Sequence, residues 1–357
     1  MGELRNEYAY WVAFYVFCLS IHLYGGRNFW RFMSTLAVLS VLILFMYIFG
    51  TIHFADFEKF APYSNEEGNE QWFQGGMYDF MRVLPLGTRF YMGIQAINLA
   101  CGQIKNPKTE VPKGYLGAMT FTLFTSFAVL FLAASLHPGI MDVAKRARPL
   151  TNGFKIMFGL PRNRATIFNL PATIMSGFGF MYFYGQQLLA MGKSGLLNPV
   201  FGKEIPGHNT PYVALLVGSA LGYMLCVIKW HYPDADDQIY ALSMLGAVTT
   251  YLSILASFIV FRWYFPTIKR EFISPVGVGG AIYAFLVFLL CFISVCGFQK
   301  DHVAIIVYAA IIGTASIYYY FVVQKRQIFS EEEKTVMFKA YLLQSKCVLY
   351  CHFFFLF

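Results

Sequence analysis

Nine apolar runs divide this chain, near 8–25, 30–51, 79–103, 114–137, 166–192, 211–230, 238–262, 276–298 and 302–324. Each approaches the ~20 residues that a helix needs to cross the hydrocarbon core of a bilayer. A membrane strand needs only ~9–11 residues, and its side chains alternate in polarity. These runs are too long and too uniformly apolar for that. In lipid every backbone N–H and C=O must be satisfied within the protein, so the runs must be helices. Composition agrees: 57% of residues are hydrophobic and 13% are charged, where a soluble domain carries about 25% charge. The expected fold is an all-α polytopic membrane protein of about nine transmembrane helices.

The breaks between runs are strongly polar. "YGGRNFWR" separates the first two, and "FADFEKFAPYSNEEGNEQWFQGG" is a long acidic connection. "KNPKTEVPKG" follows the third run, and "GKEIPGHNTP" leads into the sixth, with Thr210 expected as N-cap and Pro211 at the first helical position. Cytoplasmic connections carry an excess of Lys and Arg. Placing "KNPKTEVPK" inside also places Arg27, Arg31, Lys193, Lys203, Arg262, Lys269, Arg270, Lys325 and Arg326 inside. The acidic connections at 56–70 and 234–237 then face outward, and the C-terminus is cytoplasmic. The connection at 142–164 departs from this rule with Lys145, Arg146, Arg148, Lys155, Arg162 and Arg164. Its length predicts short helices of its own. Ser330 with Glu333 forms a capping-box pattern that predicts a surface helix to about Gln344. The chain thus reads as a membrane portion over 1–328 and a partly helical or disordered tail over 329–357.

The formal net charge of +8 fits contact with anionic leaflet lipids rather than with nucleic acid. The seven cysteines lie mostly inside apolar runs without CxxC spacing, and read as buried small hydrophobes. No Walker A, HExxH or GxSxG pattern occurs, and of the histidines only His22 falls inside a run. No cluster of His, Asp or Glu suggests catalysis, a metal or a cofactor, and the expectation is that the chain is not an enzyme. A channel would need repeated carbonyls or charges along one pore, and none is visible.

The third run is unlike the others. "RFYMGIQAINLACGQIKNPKTEVPKGY", residues 89–115, holds Arg89, Gln95 and Asn98 around Gly93. A bare arginine near mid-membrane costs at least ~2.5 kcal/mol on insertion scales, so Arg89 should face protein or water. Gly93 lowers the cost of interrupting a helix. Unwound backbone at membrane depth is tolerated where it lines a cavity or is buried in protein, and there its free N–H and C=O groups can hold a substrate. The plainer alternative is a glycine packing contact, with Gln95 and Asn98 bonding to neighbouring helices at about 1 kcal/mol each.

"FYMGIQAINLACGQIKNPKTEVPKG" resembles the sixth helix and following loop of the amino acid–polyamine–organocation transporter superfamily, through Phe90, Gly93, Lys105, Asn106, Pro107, Pro112 and Gly114. "QQLLAMGKSGLLNPVFGKEIPGHNTPY" resembles the end of its eighth helix and the start of the ninth, through Ala190, Met191, Gly195, Pro199, Thr210 and Pro211. The likeness is strongest to the ethanolamine-permease-like and eukaryotic amino-acid-permease branch. It implies a 5+5 inverted repeat with two further helices, of which the nine runs correspond to helices 4–12. It also implies alternating-access secondary transport of an amino acid or related amine, driven by a proton or sodium ion, with no cofactor and with the plasma membrane as the location. The substrate-binding residues it implies are Arg89, Phe90, Tyr91, Gly93, Gln95 and Asn98. Many relatives have an acidic residue where Gln95 stands and an aromatic where Arg89 stands, which leaves the charge of the substrate open. On this alignment the family's first three helices are absent, and with them the symmetry mate of the interrupted helix. The expectation is that the chain is an incomplete form that does not transport alone. The alternative is a truncated product that is degraded or modulates a full-length paralogue.

Overall fold

A computed structural model describes residues 7–64, 70–71, 75–88, 91, 93–140, 143, 150–233, 235–265, 270–299 and 302–344. The fold is helical throughout, apart from a two-residue antiparallel ladder, β1 (Tyr63–Ser64) with β2 (Glu70–Gln71). The helices are α1 (Glu7–Tyr24), α2 (Gly26–Thr51), α3 (Gly76–Thr88), α4 (Pro107–Ala134), α5 (Thr151–Phe158), α6 (Leu170–Lys193), α7 (Tyr212–His231), α8 (Ala235–Tyr264), α9 (Gly277–Gly297), α10 (Val303–Phe321) and α11 (Glu331–Gln344). Each apolar run of the sequence falls on a helical segment. Six are by themselves long and apolar enough to span a membrane: Gly26–Phe54, Pro107–Ala134, and α7 to α10, the last continuing to Lys325. The protein is an all-α polytopic membrane protein. Its exposed faces are rich in large apolar side chains such as Leu42, Phe49, Phe124 and Ile306. Lipid replaces water around such faces, so apolar exposure carries no penalty there.

The chain divides into two compact units, Met1–Leu188 with Lys203–Pro233, and Leu189–Gly202 with Asp234–Phe357. In the first unit, α1, α2 and α6 pack through an aromatic core of Cys18, Phe29, Phe178, Met181 and Tyr182. Phe29 stacks on Phe178 at 5.3 Å and on Tyr182 at 5.4 Å between ring centroids. A second core joins the far end of α2 to the connection after α4, through Tyr47, Leu136, Phe154 and Ala165. Here Gly153 is needed: a Cβ at that position would collide with the Tyr47 ring and the Thr51 methyl. The 26 residues of α2 span about 39 Å at 1.5 Å per residue, so these two cores lie at opposite ends of one helix. The 142–164 connection does contain short helices, α5 and a turn at Arg162–Ala165.

In the second unit α8 packs along α9, with Tyr251 stacked on Phe288 at 4.8 Å. Gly195 of the second sequence block has φ +76°, and the place a Cβ would take is filled by the carbonyl of Arg326. The neighbouring Ser194 carbonyl accepts from the Ile328 N–H at 2.9 Å. That close approach of two backbones is the physical reason for a glycine there. α11 opens as its capping box predicts: Ser330 N–H donates to Glu333 Oε2 at 2.7 Å, and Glu333 N–H donates to Ser330 Oγ at 3.2 Å.

One local expectation needs correction. Thr210 is not an N-cap: Pro211 holds that position, and no side chain caps α7. Thr210 instead pairs with Ile205 across an isolated bridge, its carbonyl accepting the Ile205 N–H at 2.9 Å. The turn at Gly207, with φ +95°, closes that bridge and commits Thr210 to extended backbone.

Candidate functional site

The third run is interrupted at its glycine. α3 carries Pro85 in its interior, which removes one backbone donor, and it ends at Thr88, whose hydroxyl donates back to the Pro85 carbonyl at 2.7 Å. Gly93 then takes a left-handed conformation, φ 93° and ψ −11°. From Ile94 to Gln103 the chain winds as a 3-10 helix. Ten residues is long for that form, which rarely exceeds 3–4, and long 3-10 stretches mark hinges or strain. An L-residue with a side chain is disfavoured at φ 93°, so the sequence places its glycine where the backbone reverses sense.

Three hydrogen bonds fasten this irregular segment within its unit. Tyr115 Oη on α4 donates to the main-chain carbonyl of Gln95 at 2.9 Å. Tyr91 Oη meets Ser126 Oγ, also on α4, at 3.3 Å. Trp30 Nε1 on α2 donates to Gln103 Oε1 at 2.9 Å. The Cα of Gly93 faces α6, where Phe180 and Phe183 stand 3.9 Å from the position a Cβ would occupy. Ala96 is buried, and Ala100 packs on the aromatic core of α1, α2 and α6.

Of the residues singled out in the sequence, Arg89 and Phe90 lie outside the described residues. Tyr91, Gly93 and Gln95 are half-buried, and Asn98 is exposed. Tyr91 and Gln95 both reach α4, the one by its hydroxyl and the other by its carbonyl. Two cavities among the described residues of this unit are lined by none of these residues. One cavity, about 530 Å³, is apolar and lies along α1, α6 and α7, between Tyr15, Tyr184 and the glycines Gly177, Gly218 and Gly222. The other, about 180 Å³, is polar and lies where α1 turns into α2, reaching Gln103, Gln186 and the 207–211 loop. The sequence singled out His22 as the histidine inside an apolar run and did not join it to Gln186 or to the 207–211 loop. The available signal was the double glycine Gly25–Gly26, placed three residues after the single in-run histidine.

The apolar helices define the class: an all-α polytopic membrane protein. Comparison with known proteins makes this specific. The sequence profile of the amino acid permease family matches residues 2–342, and the chain belongs to that family, within the amino acid–polyamine–organocation superfamily. In Bacillus subtilis (strain 168) it is similar to the "Probable threonine/serine transporter", 24% identical over 251 residues, covering 68% of this chain and 53% of that protein. It is similar to the branched-chain amino acid permease of the same organism, 24% identical over 189 residues, covering 52% of this chain and 39% of that protein. It is also similar to the methylthioribose transporter there, 24% identical over 264 residues, covering 70% and 51%. The chain spans about half the length of the curated relatives it matches.

Proposed function

We propose that this chain contributes the interrupted-helix half of a substrate site to a secondary active transporter of amino acids or related amines. The observation that carries the reading is the backbone reversal at Gly93 followed by ten residues of 3-10 helix. Such a segment leaves main-chain N–H and C=O groups outside regular helix bonding, which is what a membrane site uses to hold a zwitterion or amine. Arg89, Phe90, Tyr91, Gly93, Gln95 and Asn98 are its substrate-contacting set. The three relatives named above are of equal identity and carry three different substrates in their names, so likeness does not choose among them. In this reading the cycle is alternating access, coupled to a proton or sodium ion, in the plasma membrane with the C-terminal tail cytoplasmic. Residues 1–328 form the transport portion and 329–357 the tail.

The deciding experiment is competitive uptake in proteoliposomes holding the complete permease, with a panel of amino acids and amines, for the native sequence and for Gly93→Leu. The expected result is saturable uptake that the variant loses while still inserting at normal yield. Normal uptake by Gly93→Leu would remove the site from this segment.

A further inference from the structure

We propose that the end of α8 and the connection into α9, around Arg262 and Arg270, form a binding site for the headgroup of an anionic phospholipid. The site lies within the second compact unit and does not rest on the transport reading.

Length sets the depth. The 30 residues of α8 extend about 45 Å, against a hydrocarbon core of about 30 Å, so its ends reach the headgroup layer. Trp263 and Tyr264 stand in its last turn, 75% and 56% exposed. Exposed tryptophan and tyrosine are the side chains that settle at the membrane–water boundary.

Two cations are held at that depth without a counter-charge. Arg262, in the same turn, lays its guanidinium over the Phe258 ring at 5.3 Å. Arg270 folds back from the connection. Its guanidinium lies over the Phe261 ring at 5.2 Å, and one of its N–H groups donates to the Phe265 carbonyl at 2.9 Å. Phe261 in turn packs on the buried Phe265 ring at 5.3 Å, so the support is fixed. The two guanidiniums are close enough to act on each other: partial desolvation, and then the charge of Arg262, hold Arg270 below its ordinary pKa. Among the described residues neither arginine has a carboxylate partner, and the neighbouring Glu271 is exposed and makes no ion pair with them. Ring faces offset like-charge repulsion only in part. The guanidinium forks left open match the paired oxygens of a phosphate.

The start of α9 brings further donors to the same level. Arg270 still touches the end of α8, and the seven residues from there to Gly277 reach at most about 25 Å, so α9 runs back antiparallel to α8. Tyr251 stacks on Phe288 at 4.8 Å. Counting eleven residues toward the connection from that contact reaches Arg262 on α8 and Gly277 on α9. The first turn of α9 has no side-chain cap and no acidic residue, and a Cβ on Gly277 or Gly279 would meet nothing within 4 Å. Its leading N–H groups stand open at the positive end of the helix.

The surrounding side chains select a lipid over a soluble anion. Phe272, Ile273 and Val276, in the described part of the connection, are all exposed. In water their apolar surface would stay hydrated. On the bilayer surface it sinks into the acyl boundary and keeps the arginines at phosphate level. A zwitterionic headgroup would bring a cation of its own toward two arginines, so the fit is to an anionic one.

The test uses the intact chain in nanodiscs of phosphatidylcholine with a minor fraction of phosphatidylglycerol, with retained lipid read by native mass spectrometry. Arg262→Gln and Arg270→Gln remove a charge and keep an amide donor. The native chain should retain phosphatidylglycerol over phosphatidylcholine. Each single variant should retain it about fivefold less tightly and the double variant about thirtyfold. Lys59→Gln removes a cation that also lies over a ring, that of Phe60 at 5.4 Å, and should behave as native. A second measurement needs no variant: phosphatidylglycerol with a photoactivatable headgroup should crosslink to the native chain within 258–277. Equal retention of the two lipids, undiminished retention in the double variant, or crosslinks only outside 258–277 overturns the site. Displacement of phosphatidylglycerol by millimolar inorganic phosphate would identify a soluble anion and overturn the lipid assignment.

Discussion

Tyr115 donates its hydroxyl hydrogen to the main-chain carbonyl of Gln95 at 2.9 Å. The bond ties the first turn of the 3-10 segment to α4, 20 residues further on. The tyrosine therefore anchors the 3-10 segment to α4, and it belongs to the same sequence block as the glycine that interrupts the run. Removing the hydroxyl should loosen the segment without filling it. Tyr115→Phe is expected to destabilise the unit by about 1 kcal/mol, a drop of roughly 2–4 °C in apparent melting temperature. Hydrogen exchange at Asn98, three residues on and so within 3-10 bonding reach of that carbonyl, should rise. Unchanged exchange there would mean that the hydroxyl does not restrain the segment.

Gly93 offers a graded test of the same geometry. The nearest ring atoms lie 3.9 Å from where a Cβ would be, so a methyl fits and only the backbone objects. Gly93→Ala should cost about 1–2 kcal/mol from the left-handed conformation alone. Gly93→Leu adds a side chain that must enter the space before Phe180 and Phe183. Its uptake defect in the complete permease should therefore far exceed that of the alanine variant. Equal defects would show that strain, not occupied space, is what the glycine avoids.

The sequence made the glycine legible and left its surroundings out of reach. Period, length and polar punctuation located each helical segment, because crossing a bilayer constrains backbone bonding almost residue by residue. The interruption could be read because a glycine, an arginine and two amides crowd one apolar run. The length of the 3-10 segment could not be read, because "INLACGQ" suits either helix and the choice is made by packing on α4 and on the aromatic core. Thr210 misled for a related reason. Thr-Pro before an apolar run signals a helix start, but the bridge from Ile205 uses Thr210 in extended backbone, a tertiary choice that no local pattern encodes. The polar cavity is assembled from positions 22, 25, 182, 186 and 210, and that juxtaposition is a product of folding.

In the proposed site Gln95 carries the substrate question, since a carboxylate in its place would favour cationic amines. Gln95→Glu in the complete permease should shift competition toward cationic amines and away from neutral amino acids. An unaltered competition profile would show that this side chain does not meet the substrate.

Gly153 tests the other end of α2. Its missing Cβ admits the Tyr47 ring and the Thr51 methyl, and Tyr47 and Phe154 lie at the heart of that core. Gly153→Ala overfills a closed contact and should cost about 1–3 kcal/mol, seen as a lower melting temperature and yield. A native melting temperature would show that α5 shifts freely against α2.

The proposed sidedness can be tested on the same helix. The α1–α2 turn, Gln103 and the 207–211 loop meet at the start of α2, and these are the connections that the positive-inside rule places in the cytoplasm. α5 meets the end of α2, some 39 Å away by helix length, although its connection is also basic. The geometry therefore requires one of two basic regions to violate the rule. The choice falls on the 142–164 connection, because short helices of its own fold it into a compact element, and long structured connections translocate with little regard to charge. A membrane-impermeant maleimide applied to intact cells should label Lys155→Cys and leave Lys108→Cys untouched until the cells are opened. Labelling of Lys108→Cys from outside would invert the orientation.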